Sequence, residues 1–236
     1  MFSKRIIPES DAEELYNKIC QLTERSAYEY PHFIADINKQ LEDLDFSLRR
    51  SYSERGGEAF LILVNVKQDE LTQLSTTYTA DEIFYIRELF ERIILADNED
   101  YGISSVNALH LGQKLAIKSP TAKNITQREC QTVLDRLLED KWIEYHCGVY
   151  IVDTRAIAEL QSYFREQYAE AVKECAICLD MVTMGEYCQT SNCPVRLHKY
   201  CGDAHFGDSA NPSCPQCAQA WSRENIFGLG LVAEDE

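Results

Sequence analysis

The sequence has 236 residues, 45% of them apolar and 26% charged, with 23 Lys and Arg against 39 Asp and Glu for a net charge of −16. That length suits one large domain or two to three small ones, and the composition is globular rather than disordered or fibrous. So large an acidic surplus excludes a general nucleic-acid coat, whose phosphate contacts need clustered cations, and no stretch comes near the roughly 18 consecutive apolar residues of a membrane span.

The opening MFSKRIIPESDAEELY runs from a short apolar group straight into acids, against the pattern of a secretion signal, so a soluble intracellular chain is expected. Residues 1–75 read as a first small helix–hairpin unit. Helices are expected over Glu13–Leu22 and over Ile34–Leu44, the second with Ile34, Ile37, Leu41 and Leu44 on one face. Strands follow at Asp45–Ser51 and Ala59–Val66, turned by Arg55-Gly56-Gly57. A winged helix ordinarily carries one helix more than this stretch offers.

Residues 76–172 read as a second unit of the same kind. Thr79-Ala-Asp-Glu82 is a capping box that opens a helix to about Leu95, with Ile83, Ile86, Phe90, Ile93 and Ile94 on its apolar face. Asn98–Gly102 breaks the chain, Ser104 and Ser105 start a helix towards Leu115, and Ser119-Pro120 is a loop. Thr126-Gln-Arg-Glu129 is a second capping box, and its helix turns Cys130, Val133, Leu134, Leu137 and Leu138 inward. Strands Trp142–Tyr145 and Val149–Val152 flank the turn His146-Cys147-Gly148. Three helices and a hairpin make the winged variant of the helix-turn-helix. A further helix from Thr154 to about Val172, with Ile157, Leu160, Phe164 and Tyr168 on one face, leads into residues 173–222; 223–236 is a short acidic tail.

A winged helix can place its third helix in the major groove. Here residues 126–140 set Arg128 and Arg136 against Glu129, Asp135, Glu139 and Asp140, two positive charges against four negative. Carboxylates on that helix would face phosphates, which argues against direct DNA binding. Arg49, Arg50 and Arg55, and Lys114, Lys118 and Lys123, are the only basic groupings and read as solvated faces. Both units are expected to bind protein.

Ten cysteines decide the chemistry. Cys20 and Cys130 read as core; Cys147, beside His146, is a thiol with no third group to orient it. The other seven crowd into residues 175–217, and two of their pairs, Cys175/Cys178 and Cys214/Cys217, have the C-x2-C spacing that grips one zinc from a tight turn. Cys188, Cys193 and Cys201 leave the set one ligand short of two tetrahedral sites, and His198, in H-x2-C with Cys201, completes it better than His205 does. Four pairs can be wired consecutively or interleaved. The interleaved wiring is preferred: Cys175, Cys178, His198 and Cys201 on one zinc, and Cys188, Cys193, Cys214 and Cys217 on the other. A segment so short and polar needs its two metals as its core.

Taken together, CAICLD, CQTSNCPVRLHKYC and CPQCAQAW, behind AFLILVNVKQDELTQLSTTYTADEIFYIRELFERII and REQYAEAVKECAIC, resemble the non-SMC element one family, the RING-like subunit of the SMC five/six complex. The resemblance covers roughly residues 30–221. It implies an α+β, multi-domain chain of tandem winged helices followed by a cross-braced two-zinc RING-like module, in a nuclear, chromatin-associated complex for repair by homologous recombination. It also implies a MAGE-type partner and a kleisin subunit bound through the winged helices, and a RING-type ubiquitin ligase with no nucleophile of its own. In such ligases Ile177 and Pro215 match the apolar groove for a ubiquitin-conjugating enzyme. Ala218 stands where many active members carry a basic residue, which implies weak, partner-dependent activity. Two features depart from the pattern: the first unit is short of a helix, and four residues rather than two separate Cys188 from Cys193. A purely architectural subunit is the main alternative. A histone-reading PHD finger shares the ligand order but typically has tryptophan where this chain has Pro212.

Overall fold

In a computed structural model, residues 5–23, 29–66, 78–209 and 211–231 are described. The chain opens with strand β1 (Ile6–Pro8), too short to show periodicity, and runs directly into helix α1 (Glu9–Leu22), four residues earlier than expected. Glu9 and Asp11 in the first turn complement the helix dipole. Helix α2 (Tyr30–Leu41) ends three residues early, because a single 3-10 turn and Asp45 at φ 58° swing the chain into β2 (Phe46–Tyr52). Strand β3 (Ala59–Asn65) lies between β1 and β2, antiparallel to both. Its residues 61–64 are all buried. Leu61 and Leu63 join Ala12, Leu48, Ile34 and Ile37, whereas Ile62 and Val64 turn to the opposite face, against Ala158. A central strand covered on both faces reads as an unbroken apolar run rather than an alternating one.

The second unit begins at α3 (Ala80–Ile94), where Thr79 and Glu82 make both bonds of the capping box. Tyr85, Ile86, Leu89, Phe90, Ile93 and Ile94 are buried there, while Ile83 is only partly covered. Strand β4 (Gly102–Ser104) leads into α4 (Ser105–Leu111), capped by the Ser104 hydroxyl. The expected single helix to Leu115 is instead α4, a 3-10 turn and the short α5 (Leu115–Lys118). The break falls at Gly112, where α4 meets α6 (Gln127–Glu139): a Cβ there would stand 2.2 Å from the Cys130 sulfur. The second capping box forms at Thr126 and Glu129. Strands β5 (Ile143–His146) and β6 (Val149–Val152) pair as the hairpin, and β4 adds to β6.

Helix α7 (Thr154–Gln167) is buried along its first seven residues. Its Ala158 faces the first sheet, and Ile157, Leu160 and Phe164 face the second unit's core. It stops short of the expected Val172 because Tyr168 leaves the helical conformation and its ring packs on Tyr163 and Phe164. The last part holds β7 (Lys173–Glu174) paired with β8 (Met181–Val182), a sheet of β9 (Gly185–Tyr187) with β10 (Arg196–Leu197) and β11 (Ile226–Phe227), and α8 (Lys199–Phe206). Strand β11 falls within residues 223–236, expected as a short acidic tail. It pairs with β9, and Leu229 then donates its N–H to Asp100 O at 2.8 Å, tying the segment to the second unit. The expected boundary between residues 75 and 76 lies outside the described residues. Among the described residues no helix is long and apolar enough to cross a membrane.

Candidate metal centre

Both C-x2-C pairs form the same knuckle. In the first, Leu179 donates its N–H to Cys175 O at 2.9 Å and takes φ 65°; in the second, Ala218 donates to Cys214 O at 3.0 Å and takes φ 56°. The positive φ folds the chain back so that both sulfurs of a pair face one point. Cys188 and Cys193 reach the same end by a wider turn, closed by Cys193 N–H to Thr190 O at 3.0 Å and by Asn192 at φ 63°. The four-residue spacing is therefore accommodated by a turn of its own.

The eight side chains gather as two interleaved groups: Cys175, Cys178, His198 and Cys201, and Cys188, Cys193, Cys214 and Cys217. Within each group the ligand atoms lie within 4.8 Å of one another. Cys188 and Cys217 sulfurs are 3.6 Å apart, and those of Cys193 and Cys214 are 3.7 Å apart. Sulfurs held at about 2.3 Å by one tetrahedral zinc stand about 3.8 Å from each other, so the spacing fits that ion. His198 Nδ1 lies 3.3 Å from the Cys178 sulfur and 3.8 Å from that of Cys201. Its other nitrogen, Nε2, faces Met181 O at 3.1 Å and the Glu54 carboxylate at 3.2 Å. A carbonyl and a carboxylate only accept, so Nε2 carries the proton and Nδ1 keeps its lone pair for a metal. The hydrogen bond between Cys175 and Cys178 holds the Cys175 thiol down and pushes the Cys178 thiol up, and the Gln219 backbone holds Cys217 down, so each group offers a thiolate. The donor set of seven sulfurs and one imidazole suits zinc. His205 is exposed on α8 with its ring against Phe206 and joins neither group.

Metals are not the whole core here. Phe206, Trp221, Phe227, Val195 and Leu197 are buried and continuous with the second unit's core. The Trp221 indole donates to Glu186 at 2.8 Å, and Arg223 clasps the same carboxylate at 2.7 Å. Arg196 makes a two-pronged pair with Glu99, at 2.6 and 3.0 Å, across the junction with the second unit. Spacing within the cysteine-rich segment could not announce Glu54 or Glu99, which reach it only through the tertiary fold.

Ile177 is 39% exposed, and Pro215 and Leu179 are exposed as well. Trp221 is enclosed, so it offers no open ring to a peptide. Cys147 is exposed, with its sulfur 3.1 Å from His146 Nε2. Arg55 supplies the missing third group, 2.6 Å from His146 Nδ1, yet with the wrong polarity. Arginine only donates, so Nδ1 accepts, Nε2 holds the proton, and the ring cannot take one from Cys147. Three of the six grouped cations are held in ion pairs: Arg50 with Glu9, Arg55 with Glu144, and Lys118 with Glu88 and Glu91.

Comparison with known proteins adds to this geometry. A family described as "Nse1 non-SMC component of SMC5-6 complex" matches residues 1–160, and one described as "RING-like domain" matches residues 175–217. The human protein "Non-structural maintenance of chromosomes element 1 homolog" is 31% identical over 93% of this chain and 80% of its own. The homologue of that name from Xenopus laevis is 28% identical over 95% and 80%, respectively. A solved chain titled "Nse1-Nse3-Nse4 complex" superposes with a TM-score of 0.78 at 27% identity, covering 94% of this chain and 93% of that one. With the family match spanning most of the chain and the paired metal ligands falling inside the RING-like match, this chain belongs to the Nse1 family of non-SMC components of the SMC5-6 complex.

Proposed function

We propose that this chain is a RING-type E3 ubiquitin-protein ligase subunit of the SMC5-6 complex, acting on chromatin in the nucleus in repair by homologous recombination. The observation that carries the reading is the pair of interleaved metal groups in a RING-like module, with Ile177 exposed between the ligands of one knuckle and Pro215 exposed in the other. Cys175, Cys178, His198 and Cys201 would hold one zinc, and Cys188, Cys193, Cys214 and Cys217 the second, each ion fixing the loops around it. Residues 1–75 and 76–172 serve as the two winged-helix units, and 173–222 as the zinc module.

Ile177 and Pro215 contact a ubiquitin-conjugating enzyme and hold its thioester in a reactive orientation. A substrate lysine amine attacks the thioester carbonyl, an isopeptide bond forms, and the conjugating enzyme's cysteine leaves as thiol with the proton the amine gives up. The gain comes from positioning, since the module supplies no nucleophile. Ala218 offers no cation to ubiquitin, so activity depends on a partner. The solved neighbour's title names Nse3 and Nse4; by analogy the winged helices bind a MAGE-type subunit and a kleisin subunit. Direct DNA contact has no part in the reading, because the third helix of the second unit sets Arg128 and Arg136 against Glu129, Asp135, Glu139 and Asp140.

One observation favours an architectural role instead: the module is fastened to the rest of the chain by Arg196–Glu99, by Glu54 and by Leu229. Ubiquitin discharge onto free lysine, with and without the MAGE-type subunit, separates the two. Partner-stimulated discharge that Ile177→Asp abolishes at unchanged zinc content is the expected result. No stimulation across a broad panel of conjugating enzymes would establish the architectural role.

A further inference from the structure

The turn between β2 and β3 lies against the first metal group. Glu54 in that turn is 5% exposed, and a carboxylate so deeply buried persists only when donors satisfy it. Among the described residues its partners belong to the zinc module: Thr183 donates its N–H at 2.8 Å and its hydroxyl at 2.5 Å, and His198 Nε2 lies 3.2 Å away. Around this contact Tyr52 packs on Tyr200 at 5.2 Å, and Tyr200 stacks on the His198 ring at 4.8 Å and 11°. Gly57, at φ 72°, lets the turn approach, since a Cβ there would stand 3.2 Å from Tyr200 Cβ.

A metal-bound imidazole depends on the acceptor at its other nitrogen, which fixes the tautomer, orients the ring and raises the ligand's basicity. Met181 supplies one acceptor from within the module. The charged one comes from 144 positions earlier in the chain (198 − 54). We infer that Glu54 is a positioning residue for the first metal centre, so that the docked N-terminal unit sets how tightly the zinc module holds one of its two ions. The effect is confined to one site, because the second group is all cysteine and has no imidazole to orient.

The test uses the full chain loaded with zinc. Release to a chromogenic chelator is followed for the native protein, Glu54→Gln, Glu54→Ala and Thr183→Val. Substituted cadmium distinguishes the mixed shell from the all-sulfur shell by its resonance. Glu54→Gln, which keeps an acceptor but removes the charge, is expected to weaken the mixed site alone, towards the 10–100-fold typical of such partners, with Glu54→Ala at least as severe. The His198 Nε2–H proton signal should move upfield in Glu54→Gln while the hairpin's backbone amide spectrum stays put. Thr183→Val, which removes an anchor of the turn but not the His198 contact, should retain both ions nearly as well as the native chain. Native release and an unmoved imidazole signal in Glu54→Gln would overturn the inference. Equal weakening in Thr183→Val and Glu54→Gln would also overturn it, by reducing Glu54 to a docking anchor.

Discussion

His198 and His205 stand seven positions apart, and a local pattern separated them. H-x2-C pairs His198 with Cys201 as the cysteines pair with each other, and the fold places only His198 among the sulfurs, with His205 in solvent. His205→Ala should therefore retain two metals per chain by native mass spectrometry, and His198→Ala should lose one; equal retention in both would sink the assignment. Gly112 is a residue whose purpose the sequence concealed, because it depends on how closely two helices approach. Gly112→Ala should destabilise the second unit by about 1–3 kcal/mol through overpacking against Cys130 and Ile125, despite its better helix propensity. Cys130→Ala should partly relieve that loss in the double variant, which denaturant melts would read as a coupling between the two positions.

Helices α3 and α6 were legible because their starts are written locally: each capping box joins residues three apart, and the apolar face repeats within the same segment. Thr126→Ala should cost about 0.5–2 kcal/mol, seen as a lower unfolding midpoint at unchanged slope, whereas Thr126→Ser should cost much less. An unchanged midpoint in Thr126→Ala would mean that tertiary packing alone sets where α6 begins. Strands β1, β4 and β11 were hidden for the opposite reason. Two or three residues cannot display a period, and each becomes a strand only by pairing with a longer or more central neighbour. Helix α7 showed one apolar face in sequence, yet it has a second, small-residue contact at Ala158 on which the first sheet rests.

At the scale of the whole molecule, the clustered ligands made the zinc module evident, but its attachment to the rest of the chain was not. The module is joined to the first unit through Glu54 and Tyr52, and to the second through Arg196–Glu99 and the segment beyond β11. Within the second unit, α3, α4, α6 and the β4–β6–β5 sheet bury Phe90, Ile93, Leu134 and Leu137 at a distance in sequence from the metal ligands. Removing the metals should therefore dismantle the molecule in a definite pattern, since loops held by zinc lose their fold with the ion. Hydrogen exchange after chelation should show lost protection through β7–β10, in the turn around Glu54 and at Leu229, while amides of α3, α6 and β6 exchange at their native rates. Protection that collapses in α3 and α6 as well would make the two metal sites part of a single cooperative core. Protection that persists around Glu54 would mean the first hairpin is held by its own sheet and by Arg55 on the second hairpin, with the module resting on it rather than securing it.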